Sequence, residues 1–540
     1  MLRCAQPNAS APAARALTRH AGSARRTASR HAEIQGVLPS SEERSPRAGG
    51  HWLRRFLGAG ALIALLTTVV ISTAVFEGVS SIADALAKGG FIRSADLTPT
   101  GGDTPTTFLI LGSDGRAKGA VDATNPPHSD TILLVHLDPS TGLWSELSVP
   151  RDFYVQFRYH GSSYASKINF AYTLGGAPLS LQVVKGLLGI PINYVVDLNF
   201  LTFDKVVDDL GCVYVDVDHQ YLNTPAASAA DGWSAINVRP GYQQLCGEHA
   251  LDYVRVRHFD DTFARDAREQ AFLRDAKEQL GLSGLLSRAG PIIDALSKSI
   301  TSNIRGSATV AGLLETVIDS VNGPVHQVQF PNVPLDVDGQ ADQTASPAQI
   351  RATVQQFLAP TVTAPTIHSI AGPRHTAGRH GASRGSGGGV ANPTAPGLIA
   401  TPPSVGASAL ALGVDVSFPV YVPSLTLESA SPDTYEPFST YTLRDPQGHT
   451  HAGYRIDWST GSVGAYYGIE GMDWTDPPLF AHANTVERYG RRYLYVDTGG
   501  SVQDVGWIVG DELYWVSNTL FDSLTARQMF ALAESAQPAR

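Results

Sequence analysis

FLILGSDGR (108–116) and SDTILLVHLDP (129–139) decide the fold. Each is a short run of branched and leucine-type residues with an aspartate at one end, Asp114 after the first and Asp130 before the second. TILLVHL (131–137) reads as a strand. The same character returns in WSELSV (144–149), YVVDLNF (194–200), VYVDV (213–217) and HQVQF (326–330). Between these runs, PLSLQVVKGLLG (178–189), FLTFDKVVDDLG (200–211), CGEHALDYVRVR (246–257), FARDAREQAFLRDAKEQLGLSGLL (263–286) and SPAQIRATVQQFL (346–358) carry helical periodicity. Gly189 and Gly211 stand at the stops. Strands alternating with helices predict an α/β domain over residues 104–360.

Upstream, FLGAGALIALLTTVVISTAVF (56–76) runs without a charge. At about 1.5 Å per residue it is long enough to span a bilayer core as one transmembrane helix. Residues 1–55 hold ten arginines against three glutamates, whereas the whole chain carries −10. A basic leader beside an apolar span places the N-terminus in the cytoplasm and everything after the span outside, in a single-pass membrane protein. The leader is too poor in large apolar residues to fold and contains no helix-turn-helix pattern, so no nucleic-acid partner is expected. Residues 77–103 form a linker. Cys4 falls on the cytoplasmic side; Cys212 and Cys246 fall on the exported side, where a disulfide is expected. Two separate buried thiols are the alternative, and zinc is disfavoured because neither cysteine belongs to a CxxC or has a nearby histidine pair.

Downstream, residues 361–411 are rich in Gly, Ser, Thr, Ala and Pro and read as a flexible spacer. Residues 412–540 carry GYRIDW, VGAYYGI, RRYLYVDT, QDVGWIV and ELYWVS before a terminal helix, a small strand-rich accessory domain. Tyr466, Tyr467, Trp474 and Trp515 could stack on sugars, but aromatics at strand spacing belong more often to a core.

Chemistry gathers in two places. Carboxylates at strand ends, such as Asp114 and Asp130, lie where α/β sheets bind ligands and, with phosphate oxygens, suit Mg²⁺. YVRVRHFDDTFARDAREQAFLR (253–274) then sets Arg255, Arg257, Arg265 and Arg268 close together with Glu269 and Gln270, while Arg151 (VPRD) and Lys167 (SKINFAY) stand apart. In an acidic exported region such a cluster points to an anion pocket, because guanidinium forks match phosphate oxygens. Arg274, at the end of that stretch and past the arginine cluster, reads as an ordinary surface residue of the same helix.

The ordered set FLILGSDGR, SDTILLVHLDP, LSVPRDFYV, SKINFAYTLGG, GIPINYVVDLNFLTFDKVVDDLGCVYVDV, NVRPGYQQLCGEHALDYVRVRH and FARDAREQAFL resembles the LytR-CpsA-Psr family of cell-wall phosphotransferases, over roughly residues 104–360. The cysteine pair and the trailing domain with YWVSNTL resemble its actinobacterial members. The resemblance implies an α/β sandwich that holds a polyprenyl-pyrophosphate lipid in an apolar tunnel. It also implies transfer of the attached glycopolymer to a muramoyl hydroxyl of peptidoglycan. By position, Asp114 and Asp130 match the Mg²⁺-associated aspartates. Lys167, Arg255, Arg257 and Arg265 match the pyrophosphate-binding basic residues, Arg151 matches the PRD arginine, and Arg268 with Gln270 completes the set. Asp130, Arg257 and Arg268 are the expected catalytic residues, with Asp130 accepting the proton of the incoming hydroxyl. The chain departs from the family pattern at His128 (Arg), Thr262 (Asp) and Glu269 (Gln). Hydrolysis of the lipid pyrophosphate, or a non-catalytic envelope-binding or regulatory role, are the competing readings.

Overall fold

The structure is a computed structural model that describes residues 78–84, 86–100, 104–113, 127–227, 235–256, 262–287, 300–321, 325–337, 339–361, 367–370, 395–462 and 464–539. The expected transmembrane span, the leader with Cys4, Asp114 and Arg257 lie outside these residues. Among the described residues no helix is long and apolar enough to cross a membrane.

A seven-stranded sheet forms the centre of the first domain, in the order Gly90–Phe91, Ile300–Ser302, Tyr194–Asn199, Thr106–Ser113, Ser129–Asp138, Leu143–Ser148, Val325–Val328. It is mixed. Thr106–Ser113 runs parallel to Tyr194–Asn199 and antiparallel to Ser129–Asp138, and Leu143–Ser148 is parallel to Val325–Val328. Alternation along the strands sends Leu109, Leu111, Ile132, Leu134 and Leu147 to one face, under the helices Phe170–Leu188 and Pro347–Leu358. Leu133, Val135 and Leu137 go to the other, against Val317 of the helix Ser307–Val321. Both faces are therefore covered, which is why TILLVHL has no polar alternation. Gly189 closes the helix Phe170–Leu188 at φ 68°, a left-handed cap that glycine adopts without strain.

A smaller subassembly grows from this sheet. The antiparallel pair Val213–Val217 and Gly241–Leu245 packs with the helices Gly247–Arg255 and Thr262–Ser287 around Val215, Val217, Tyr253 and Phe272. Cys212 and Cys246, whose Cα atoms are 4.5 Å apart, are disulfide-bonded at the open end of the pair. Asp208 lies beside both sulfurs, but bonded sulfurs leave no thiolate for a metal.

The C-terminal domain is an eight-stranded antiparallel sheet whose central strands are Thr450–Ser459, Tyr466–Met472, Glu512–Ser517 and Ser501–Val509. One face packs on the helices Pro403–Val416 and Ala526–Ser535. Leu398–Ala400 falls inside, and Pro403–Val416 begins inside, the stretch assigned from composition to the spacer, a correction to its 361–411 boundary. The small residues that suggested a linker, such as Ser404, Ala407, Ser408 and Ala411, are exposed, while Val405, Ala409, Leu412 and Val416 recur every three to four residues and pack on the sheet. The opposite face receives Tyr214 and Tyr242 from the disulfide-braced pair, among Leu443, Met472, Trp474, Leu513 and Trp515. Trp474, Trp515 and Tyr467 are buried, and Tyr466 stacks on His219 at 3.9 Å, so these aromatics are packing residues.

One arginine locks this junction. Arg455 is fully buried and ion-pairs with Asp216 of the first domain at 2.5 Å and with Asp457 and Glu470 of its own, while donating to the Asp218 carbonyl at 3.0 Å. Trp515 Nε1 also donates to Asp216, and the Tyr242 amide donates to Glu470, both at 3.2 Å.

Candidate functional site

Strand pairing builds the first half of the site. Leu133 faces Ser148 across the antiparallel pair, and the Val149 amide donates to the Ile132 carbonyl. Two residues further on, the Pro150–Asp152 turn therefore meets the start of Ser129–Asp138, and the Arg151 guanidinium ion-pairs with Asp130. Asp152 continues the chain of charge: its carboxylate lies 3.7 Å from Arg151 Nε and 3.0 Å from Lys167 Nζ, which is also 3.4 Å from Asp342. Lys167 reaches it because the hairpin Tyr154–Tyr159/Ser162–Lys167 pairs Lys167 with Tyr154, next to the turn.

The helix Thr262–Ser287 brings the second half. Arg265, 2 % exposed, donates to the Asp130 carbonyl at 3.0 Å and to Asp266 at 2.8 Å, and its Nε lies 3.6 Å from Glu269. Thr131 donates to Glu269 at 3.1 Å, fastening the helix to the strand. Burial opposes the Arg265 charge, but Asp266, Glu269 and Asp130 outweigh it and hold the guanidinium protonated more firmly than usual. Glu269 is pushed up to about 8, first by burial and then by Asp266 and Asp130, against the pull of Arg265. Burial likewise raises Asp266.

Asp130, Arg151, Lys167 and Arg265 are thus brought together. Arg255 pairs with Asp252 of its own helix at 2.9 Å. Gln270 is buried and donates to Ser148 at 3.2 Å. The expectation that Arg268 contacts pyrophosphate and takes part in catalysis is corrected. Its side chain is fully buried, donates to the carbonyls of Tyr253 and Val256, and lies over the Tyr221 ring at 4.5 Å. It secures the end of the helix Gly247–Arg255. Arg274 is likewise no surface residue: it is largely buried, 3.3 Å from Gln327 and 3.7 Å from Asp275.

Sequence reading passed over Asp152, Asp266 and Asp342. The first two had a signal, since PRD and ARD each place an aspartate directly after a site arginine. Asp342 had none, because it arrives from a distant hairpin, Val333–Val337/Gln340–Thr344.

A profile of the LytR_cpsA_psr family matches residues 73–357, more than half of the chain. The chain belongs to this family. Among characterised relatives, it is 29 % identical over 202 residues to the polyisoprenyl-teichoic acid–peptidoglycan teichoic acid transferase TagU of Bacillus mycoides, covering 37 % of this chain and 60 % of TagU. It is 29 % identical over 225 residues to the transferase of the same description, TagV, of Bacillus subtilis, covering 41 % of this chain and 56 % of TagV. The chain therefore spans somewhat over half the length of these relatives. A solved structure of TagT bound to LIIa-WTA aligns at 23 % identity and a TM-score of 0.39, covering 49 % of this chain and 96 % of that one. Asp130, Arg151, Lys167 and Arg265 all fall inside the matched segment of the family.

Proposed function

We propose that this LytR-CpsA-Psr protein transfers a glycopolymer from a polyprenyl-pyrophosphate carrier to a muramoyl hydroxyl of peptidoglycan. The observation that carries the reading is the convergence of Arg151, Arg265 and Lys167 on the strand end that bears Asp130. Relatives named as teichoic acid–peptidoglycan transferases support the kind of reaction. Bond formation joins the acceptor oxygen to the phosphorus that carries the polymer, and the polyprenyl phosphate leaves with the bonding pair. Charge builds on that leaving phosphate, so positioned cations supply most of the catalysis. Arg265, pinned by three oxygen partners, is preorganised for this. Asp130, when not committed to the metal, takes the hydroxyl proton, and Arg151 orients it.

The described carboxylates fit Mg²⁺. Asp130, Asp152, Asp266 and Asp342 outnumber Arg151, Lys167 and Arg265, and an oxygen-rich set of this kind suits a hard divalent ion. Asp130, with Asp114, would hold it, and the ion would neutralise pyrophosphate charge. The apolar span at 56–76 would anchor the chain, keeping the exported domains beside a lipid-linked donor at high local concentration.

Donor turnover by the full-length protein, measured with and without peptidoglycan, tests the proposal. Arg265→Ala and Asp130→Asn should each lose about a hundredfold, roughly 3 kcal/mol of transition-state stabilisation. Circular dichroism should show both folded. Near-normal turnover in both would overturn the assignment, and equal turnover without acceptor would make the protein a pyrophosphatase.

A further inference from the structure

The helix Thr262–Ser287 turns one face to the C-terminal domain. Phe263, Asp266, Gln270, Arg274 and Glu278 recur every three to four residues and line two contiguous grooves that share Leu520. The far wall belongs to the C-terminal domain, chiefly Phe521 and Asp522 at the near end and Asp504 at the far end. That wall is fixed. Asn518 donates to the carbonyls of Val502 and Leu524 and accepts from the amides of Thr519 and Leu524, and Thr519 is hydrogen-bonded to Ser523 at 2.8 Å. A Cβ on Gly464 would lie 2.6 Å from Ala264, next to Arg265, and 2.9 Å from Phe521, so only glycine lets the domain close this tightly on the helix.

The near groove combines Gln270 and Gln327, the Asp522 carboxylate and the half-buried Phe263 and Phe521 rings. Planar amides give and accept hydrogen bonds with hydroxyl and acetamido groups, a carboxylate accepts them, and rings cover the apolar face of a sugar. Asp266 lines this groove and also holds Arg265, so a hydroxyl seated here lies beside the proposed phosphate site. Further along, Asp216, Asp218, Asp275, Glu278 and Asp504 line the groove with Arg274 and Arg455, and Arg455 already pairs with Asp216, Asp457 and Glu470. Asp504 is 7 % exposed, and the charges nearest its carboxyl group are Asp216, Arg274, Asp275 and Glu278. Carboxyl groups outnumber guanidinium groups along this stretch, so it offers oxygens to sugar hydroxyl and acetamido groups and disfavours a polyphosphate chain.

We propose that this interdomain cleft is the acceptor subsite: it seats the saccharide strand of peptidoglycan, and the C-terminal domain is its outer wall. The proposal deepens the transferase reading and rests on it for the identity of the acceptor. Burial, with mutual repulsion, raises Asp504 and lifts Asp275 to about 7, a cost that a bound amine would relieve.

The test is equilibrium binding of soluble peptidoglycan glycan strands to the full-length protein by calorimetry, which needs no turnover. Wild type should bind. Phe521→Ala and Asp522→Asn should bind at least tenfold more weakly with an unchanged melting temperature, Asn being chosen because Asp522 sits at φ 54°, which Asn tolerates. Arg151→Ala should bind strands normally. A lipid-free fragment of an anionic glycopolymer should not compete. Absence of strand binding by wild type, equal binding by both cleft variants, or competition by the anionic polymer would each overturn the acceptor assignment. A protein that binds strands in the cleft yet never turns over donor would instead overturn only the transferase reading.

Discussion

Replacing Glu269 by Gln should remove a pH limit on donor binding. In the folded protein Glu269 titrates at about 8, chiefly through burial, with Asp266 and Asp130 raising it and Arg265 and Thr131 lowering it. It is therefore neutral at pH 7, leaving the Arg265 charge for the donor. Above pH 8 it becomes a carboxylate 3.6 Å from Arg265 Nε. A phosphate on the far side of that guanidinium would lie ~7 Å from the new charge. At an effective dielectric constant of ~20 the repulsion is ~2.4 kcal/mol per unit charge, roughly fiftyfold in affinity. Stability follows the same titration. Because the folded value lies above the unfolded one, the wild type is favoured at low pH and loses stability as pH rises from about 4.5 through about 8. The assay is the affinity for a polyprenyl pyrophosphate, with melting temperature in parallel, from pH 6 to 9.5. Wild type should weaken steeply above pH 8 and Glu269→Gln should stay level on that limb. Parallel decline in both proteins would refute the reasoning and assign the titration to another group.

Arg268→Ala should lower melting temperature as well as activity, because it leaves the Tyr253 and Val256 carbonyls without their buried donor; a loss of activity with unchanged stability would return Arg268 to the substrate. Non-reducing peptide mapping should recover Cys212 and Cys246 as one linked pair, and the double serine variant should lose about 3.5 kcal/mol for a loop closed across 34 residues; recovery as two alkylated thiols would refute the bond. Arg455→Ala should cost about 3–5 kcal/mol and expose the domain junction to protease, since it strands Asp216, Asp457 and Glu470; an unchanged melting temperature would show that the junction does not depend on this charge.

Most of the first domain was legible because its signals are local. Six predicted strands fall within a few residues of Thr106–Ser113, Ser129–Asp138, Leu143–Ser148, Tyr194–Asn199, Val213–Val217 and Val325–Val328. The helix Ser307–Val321 went unread, as did the hairpin Tyr154–Tyr159/Ser162–Lys167, whose YVQFRY and SSYASK alternate too weakly to mark two strands. At the site, motif position brought out Asp130, Arg151, Lys167 and Arg265 but could not say which arginines point inward. Arg265 and Arg268 are three apart on one helix, and only tertiary packing turns the first to Asp130 and the second to Tyr253 and Val256.

The junction shows a different limit. Asp216 and Arg455 are 239 positions apart, and neither has a sequence neighbour that announces the other. Asp216 lies in VYVDV, where an acidic residue amid β-branched ones reads as the solvent side of an edge strand; Arg455 in GYRIDW reads the same way. Each is polar on a strand face because the other domain covers it. A buried arginine among three carboxylates gains little net stability over well-packed apolar residues, but it tolerates few alternative arrangements. The pairing therefore fixes where the C-terminal sheet sits more than how strongly it is held. Fixing that position sets the 519–523 loop against the helix that carries Arg265, and with it the width of the cleft beside the proposed phosphate site.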